Sequence, residues 1–256
     1  MGMDFVFQIN SSWASRDVLD SVESACAILH DADKTFSLYK PESFLSRLRD
    51  GVVTTHEAPL EFRNIYAECE TWKQNTNGWF DAINHQKFFD PSGIVKTWAA
   101  KRAALYLESN GINDFTLNAG GDIYLSSALE PSWLWRVGLS NLNPVASAKA
   151  GNNMILNLEG TPYRGVATSG STEKGDHIWA KGKLTKDHEV LQVTVVSEDL
   201  VVADIWATAV YAGGLSALKT LVDFERDQEI KTLVLITFRD GRLVSTPGFA
   251  TVLANV

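Results

Sequence analysis

The stretch "VVADIWATAVYAGG", Val201 to Gly214, constrains the fold more than any other. Between Leu200 and Ala212 only Asp204 and Thr208 interrupt an apolar run. A helix that is apolar on all sides has to be surrounded by protein. The chain must therefore build core on every flank of this segment. Asp204 and Thr208 are four residues apart, so they project from one face of the helix. A buried carboxylate without a partner is costly or takes up a proton, so a compensating cation is expected. Two kinds fit. A lysine or arginine from another element forms an ion pair, which the helix by itself favours because such pairs are the commoner arrangement. Alternatively, the carboxylate and the hydroxyl hold a metal ion, since both are hard oxygen donors of the kind Mg2+ accepts.

The rest of the chain can supply such a core. It has 256 residues, of which 45% are hydrophobic and 21% charged, an ordinary globular composition. This length suits a single α/β or α+β domain, or two closely packed lobes. The formal net charge of −8 argues against a nucleic-acid partner, which calls for a basic face. Cys26 and Cys69 lie far apart without metal or redox spacing and read as buried or half-buried thiols. No run of uncharged apolar residues reaches spanning length, so no membrane span is expected. The start, "MGMDFVFQINSSW", lacks the basic and apolar regions of a signal peptide. A cytoplasmic location is the corresponding expectation.

"MDFVFQIN" alternates as a strand, and Ser15 stands where it can cap the helix that follows. Ser43 opens a short helix closed by Gly51, and a longer helix runs from Pro59 to Gly78. A third helix spans Gly93–Gly111. "DFTLNAGGDIYL" reads as strand, Gly-Gly turn, strand. Strand-like pieces fill the tract from Trp133 to Gly182, and "EVLQVTVVS" is a strong strand. After the buried helix come a further helix, "LSALKTLVDFERD", and a C-terminal hairpin turning at Asp240-Gly241. Helices and strands cluster without strict alternation. The fold class is therefore α+β, with a largely antiparallel sheet flanked by helices.

Three further stretches carry polar groups suited to a ligand. Gly120-Gly121-Asp122 follows a strand and reads either as a plain tight turn or as a close approach to a ligand. Thr168-Ser169-Gly170-Ser171 places small hydroxyls beside a glycine, a cradle suited to phosphate, and Asp176-His177 follows. His177 is a candidate acid, base or ligand contact. In "DPSGIVKTWAAK", Lys96 stands near a helix start, where free N–H groups and a cation suit an anion, though the spacing is not that of a P-loop.

The order of "FSLYKPESFLSRL", "TNGWFDAI", "DPSGIVKTWAAKRA", "LNAGGDIYL", "VATSGSTEKGDHIW" and "VTVVSEDLVVADIWATAVYAGG" resembles the ApbE family of FAD:protein FMN transferases. The resemblance implies a T-fold-like α+β architecture, Mg2+ as cofactor and FAD as substrate. It implies cleavage of FAD, attachment of FMN to a threonine or serine of an acceptor protein with a D-G-[ST]-G-A-T type motif, and release of AMP. Relatives that hydrolyse FAD to FMN and AMP, or a module that only binds FAD, are the alternatives. Asp204 and Thr208 match the family's A-D-x-x-A-T metal motif, joined by a backbone carbonyl near Val95. His177 matches the histidine proposed as base toward the acceptor, with Asp204 the second catalytic residue. Lys96, Gly120, Gly121, Asp122, Thr168, Ser169, Gly170 and His177 match the flavin site. Thr97 departs from the family, which has glycine there; its side chain is expected to narrow the FAD site. "HIWAKG" departs after His177, where the family tends toward Asp-Pro. The resemblance leaves the oligomeric state unknown.

Overall fold

The structure is a computed structural model that describes residues 2–10, 16–126, 135–139, 154–170, 179–180, 183–184, 189–228 and 230–254. Ser15, Trp133, Asp176 and His177 lie outside these residues. Five helices are described: α1 (Arg16–Phe36), α2 (Phe44–Arg49), α3 (Leu60–Asn75), α4 (Ser92–Ser109) and α5 (Leu200–Gln228). The central sheet joins β1 (Phe5–Ile9), β2 (Phe115–Ala119), β3 (Asp122–Leu125), β6 (Gly165–Gly170), β9 (Val190–Ser197), β10 (Thr232–Phe238) and β11 (Leu243–Ser245), in that spatial order. Every neighbouring pair in it is antiparallel. Two small ribbons stand apart from the sheet, β4 (Arg136–Leu139) with β5 (Met154–Asn157), and β7 (Trp179–Ala180) with β8 (Lys183–Leu184). This is the α+β class with a mostly antiparallel sheet that the sequence pattern implies.

Alternation along the strands sorts side chains to two faces. On β9 and β10, Val193, Val195, Val234 and Ile236 meet the helices, in the core that holds Trp206 and Phe62. Their neighbours Val196, Leu233 and Leu235 face the other way, into a second core with Leu156, Leu158 and Phe249. A third core packs α1 and α4 on β2 through Ala100, Ala103, Leu107, Phe115 and Leu117. α4 is therefore buried on two sides, and its many alanines let α1 approach closely.

α5 lies on β6 and β9, with its first turns inside the protein. Asp199 sets its start, with Oδ1 accepting from the Val201 N–H at 2.8 Å. Gly165 brings β6 against this start: a Cβ there would lie 2.5 Å from Leu200 Cα and 2.7 Å from Leu200 N. The helix breaks at Gly214, where the backbone leaves helical geometry. The two helices expected on either side of Gly213-Gly214 are thus present, joined through this kink within α5. By length and composition α5 also meets the criterion for a membrane span, at mean hydropathy 1.4, but 67% of that window is buried inside the protein. A core helix covered on all sides has the same composition.

Candidate active site

The site grows from three polar side chains on buried faces. Asp204 projects from α5 and is 3% exposed, Thr97 from α4 is 0% exposed, and Asp122 at the start of β3 is 1% exposed. Lys96, beside Thr97, reaches between the two carboxylates. Its Nζ pairs with Asp122 Oδ2 and lies 3.4 Å from Asp204 Oδ1. The Thr97 hydroxyl donates to Asp204 Oδ2 at 2.9 Å and lies 3.3 Å from the Ile94 carbonyl. One turn further along α5, Thr208 Oγ1 meets Ser169 Oγ of β6 at 3.3 Å. Asp122 Oδ1 accepts the Thr168 N–H at 2.9 Å, which ties β3 to β6 beside the same cluster.

Local rules explain how the chain reaches this arrangement. The β2–β3 turn runs through Gly120 and Gly121, both at positive φ, which glycine adopts without strain. Gly121 N–H is held by Asn118 Oδ1, and a Cβ on Gly120 would lie 2.9 Å from Met3 Sδ. The turn thus delivers Asp122 into the interior at the first position of β3. On β6, alternation sends Ser169 to the α5 side. The Thr168 hydroxyl lies 3.1 Å from that of Thr194, its partner across the β6–β9 pair. Gly170 closes the strand against β9, where a Cβ would sit 3.1 Å from the Leu191 carbonyl oxygen.

One expectation narrows here. The start of α4 offers fewer free donors than its sequence implies: Asp90 Oδ1 accepts the Ser92 N–H, and the Pro91 carbonyl accepts from Ile94 and Val95. Lys96 turns inward to the two buried carboxylates. The Thr97 side chain is fully buried and reaches from α4 to the Asp204 carboxylate. Among the sequence candidates, the structure brings together Lys96, Asp122, Ser169, Asp204 and Thr208. Thr168 joins through its backbone, Gly120 and Gly121 through the turn, and Gly170 ends the strand that carries Ser169. Thr97 as a partner of Asp204 escaped the sequence reading. The signal was a threonine in an α4 stripe otherwise made of Ile94, Ala100 and Ala104, since a polar residue at a core position implies a partner.

The charges explain one another. Burial pushes the Asp204 carboxyl up to about 6, opposed by the Lys96 ammonium, reinforced by Asp122 and eased by the Thr97 hydrogen bond. Burial also works against charge on Lys96, but the pull of Asp122 and then Asp204 outweighs it and holds the ammonium above its usual value. With both carboxylates ionised, the buried trio carries two negative charges against one positive. The ion pair foreseen for Asp204 is therefore present and still leaves one negative charge uncompensated.

This surplus, and the donors around it, fit a divalent cation. Asp204 offers a carboxylate, Thr208 a hydroxyl, and Val95 a carbonyl that keeps a second lone pair after its helical bond. All are hard oxygen donors, as Mg2+ prefers. Among the described residues no three His, Cys, Asp or Glu gather at one point. A cation here would rest on one or two carboxylates supplemented by hydroxyl, carbonyl and water, the usual pattern for Mg2+.

The chain was compared with known proteins. The family model described as ApbE family matches residues 84–234. Among curated proteins no sequence matches. The solved Flavin Transferase ApbE from Vibrio cholerae superposes with a TM-score of 0.76 at 18% identity, covering 99% of this chain and 96% of its own. The apbe protein from Thermotoga maritima gives 0.74 at 17% identity, covering 98% of this chain and 100% of its own. The flavinyl transferase ApbE of Pseudomonas stutzeri gives 0.71 at 17% identity, with 99% and 95% covered. At these identities the superpositions speak for the fold, over nearly the full length of every chain compared. The family match spans more than half of the chain and contains every residue of the buried cluster, from Lys96 to Thr208. The chain belongs to the ApbE family.

Proposed function

We propose that this protein is an Mg2+-dependent FAD:protein FMN transferase. The observation that carries the reading is the convergence of Lys96, Asp122, Ser169, Asp204 and Thr208, inside the family-matched span, on one buried site with surplus negative charge. Two of the solved structures with this fold are named as flavin or flavinyl transferases. In the reaction the flavin-side phosphorus of FAD gains a bond to an acceptor threonine or serine oxygen. The bond from that phosphorus to the bridging oxygen breaks, and AMP leaves with that oxygen. The hydroxyl proton passes to a base, for which His177 is the proposed residue.

The described residues would act chiefly by placement. Asp204, Thr208 and the Val95 carbonyl would hold Mg2+, which when bound supplies positive charge to the diphosphate and to the departing AMP. Lys96 pairs with the Asp122 and Asp204 carboxylates and offsets part of their charge. Ser169 orients the Thr208 hydroxyl, and the Thr168 N–H fixes Asp122. The apolar surroundings of α5 keep bulk water from these groups, which strengthens every charge interaction among them.

The test is to incubate the protein with FAD and Mg2+, with and without an acceptor domain carrying a D-G-[ST]-G-A-T motif. Intact mass and nucleotide chromatography are the readouts. An acceptor mass gain of one FMN, with one AMP released, is expected. Free FMN and AMP without adduct would replace the transferase reading by an FAD pyrophosphatase. Intact FAD in both samples would remove both catalytic readings.

A further inference from the structure

We infer that Thr97 is a positioning residue for the Asp204 carboxylate, a role that goes beyond the residues matched to the family site. It rests on the proposed function only in taking Asp204 as the cation-facing group. Three observations carry it. Thr97 is fully buried in α4, on a face otherwise lined by Ile94, Ala100 and Ala104. Its hydroxyl meets Asp204 Oδ2 at 2.9 Å from an element more than a hundred residues away in sequence. Lys96 meets the other oxygen, Oδ1.

A hydroxyl has one proton. The Ile94 carbonyl can only accept, and so can an ionised carboxylate. The shorter, charge-assisted contact takes the proton, so Thr97 donates to Oδ2 while Asp204 is ionised. Thr97 and Lys96 then hold one oxygen each, which fixes the carboxylate plane on the buried helix. Lys96 can shift along its flexible stem toward Asp122 when a cation arrives, but Thr97 sits on a short, branched side chain and cannot. Oδ2 stays anchored, and Oδ1 is the oxygen left to meet a cation. A glycine at this position leaves the carboxylate to be oriented by Lys96 alone.

Two variants separate this role from packing. Thr97→Val keeps the shape and removes the hydroxyl; Thr97→Ser keeps the hydroxyl and removes the methyl. Calorimetric titration of the FAD-free protein with MgCl2 is the readout, so flavin chemistry does not enter. Thr97→Val is expected to weaken Mg2+ binding by about tenfold or more, and Thr97→Ser to stay within about threefold of the parent. A packing role predicts the reverse order, with serine the worse. Unchanged Mg2+ affinity in Thr97→Val, or equal loss in both variants, overturns the inference. The acceptor-labelling experiment tests the transferase reading separately: the expected valine–serine difference in a protein that fails to transfer FMN would support Thr97's role while removing that reading.

Discussion

Two opposing influences meet at the Asp204 side chain. Burial disfavours its ionised form, and Lys96 and Thr97 favour it, yet the carboxyl still ends above the ordinary carboxylate range. A folded-state value raised to about 6 means that the folded protein binds this proton more tightly than the unfolded chain. The contribution of this carboxyl to metal-free stability therefore falls as pH rises from about 4 to about 6 and levels off above that. Asp204→Asn keeps the shape and the Thr97 contact, and it leaves Lys96 neutralised by Asp122. In metal-free protein this variant should be at least as stable as the parent at pH 7, by at most about 3 kcal/mol. It should also lack the loss of stability between pH 4 and 6, while FMN transfer falls about a hundredfold or more. Urea titrations across pH check the first part, and a steep loss of stability at pH 7 would contradict it. From the sequence, Asp204 announced itself through its apolar surroundings, but the identity of its cation did not. That depended on which residue α4 presents across the interface, and both Lys96 and Thr97 turn out to face it.

Among elements, β6 approaches the start of α5 so closely that Gly165 has no room for a side chain. Gly165 has no side chain where Leu200 Cα passes, so the strand and the helix share one layer of space. This contact fixes the height of α5 over β6 and hence the meeting of Thr208 with Ser169. Gly165→Ala would force the two apart or strain both, at a cost of about 1–3 kcal/mol. Thermal unfolding should show the loss, and transfer activity should fall further than stability explains, because the hydroxyl pair moves out of register. A neutral Gly165→Ala would mean that α5 is positioned by its apolar face alone. Most elements were legible in the sequence because their signals are local. Ser43 caps α2 by accepting from the Ser46 N–H at 3.0 Å, and β10–β11 turns at Asp240-Gly241 as its residues dictate. At the start of α4 the sequence overstates the free donors for a physical reason. Whether helix-start N–H groups are free depends on their neighbours, and Asp90 and the Pro91 carbonyl take those of Ser92, Ile94 and Val95.

Across the whole molecule, the candidate site draws on α4, β3, β6 and α5, whose residues come from positions 95 to 208 of the chain. No segment of that span can hold the arrangement alone, because its charged and hydrogen-bonding partners come from different elements. A ligand that engages it therefore binds the folded state and not the unfolded chain. Mg2+ at a hundred times its dissociation constant should then stabilise the protein by about 2.7 kcal/mol. For a chain of this size that raises the melting temperature by roughly 5–10 °C. Asp204→Asn should show no such rise, since the oxygen that supplies the charge is gone. Melting curves of both proteins across a MgCl2 series, at constant ionic strength, separate site binding from general screening of the net charge of −8. An equal rise in both would mean Mg2+ bound elsewhere on the protein and would remove the cation from Asp204. A rise in the parent alone would place the cation's effect on the buried carboxylate, at the point where the longest apolar run of the sequence is interrupted.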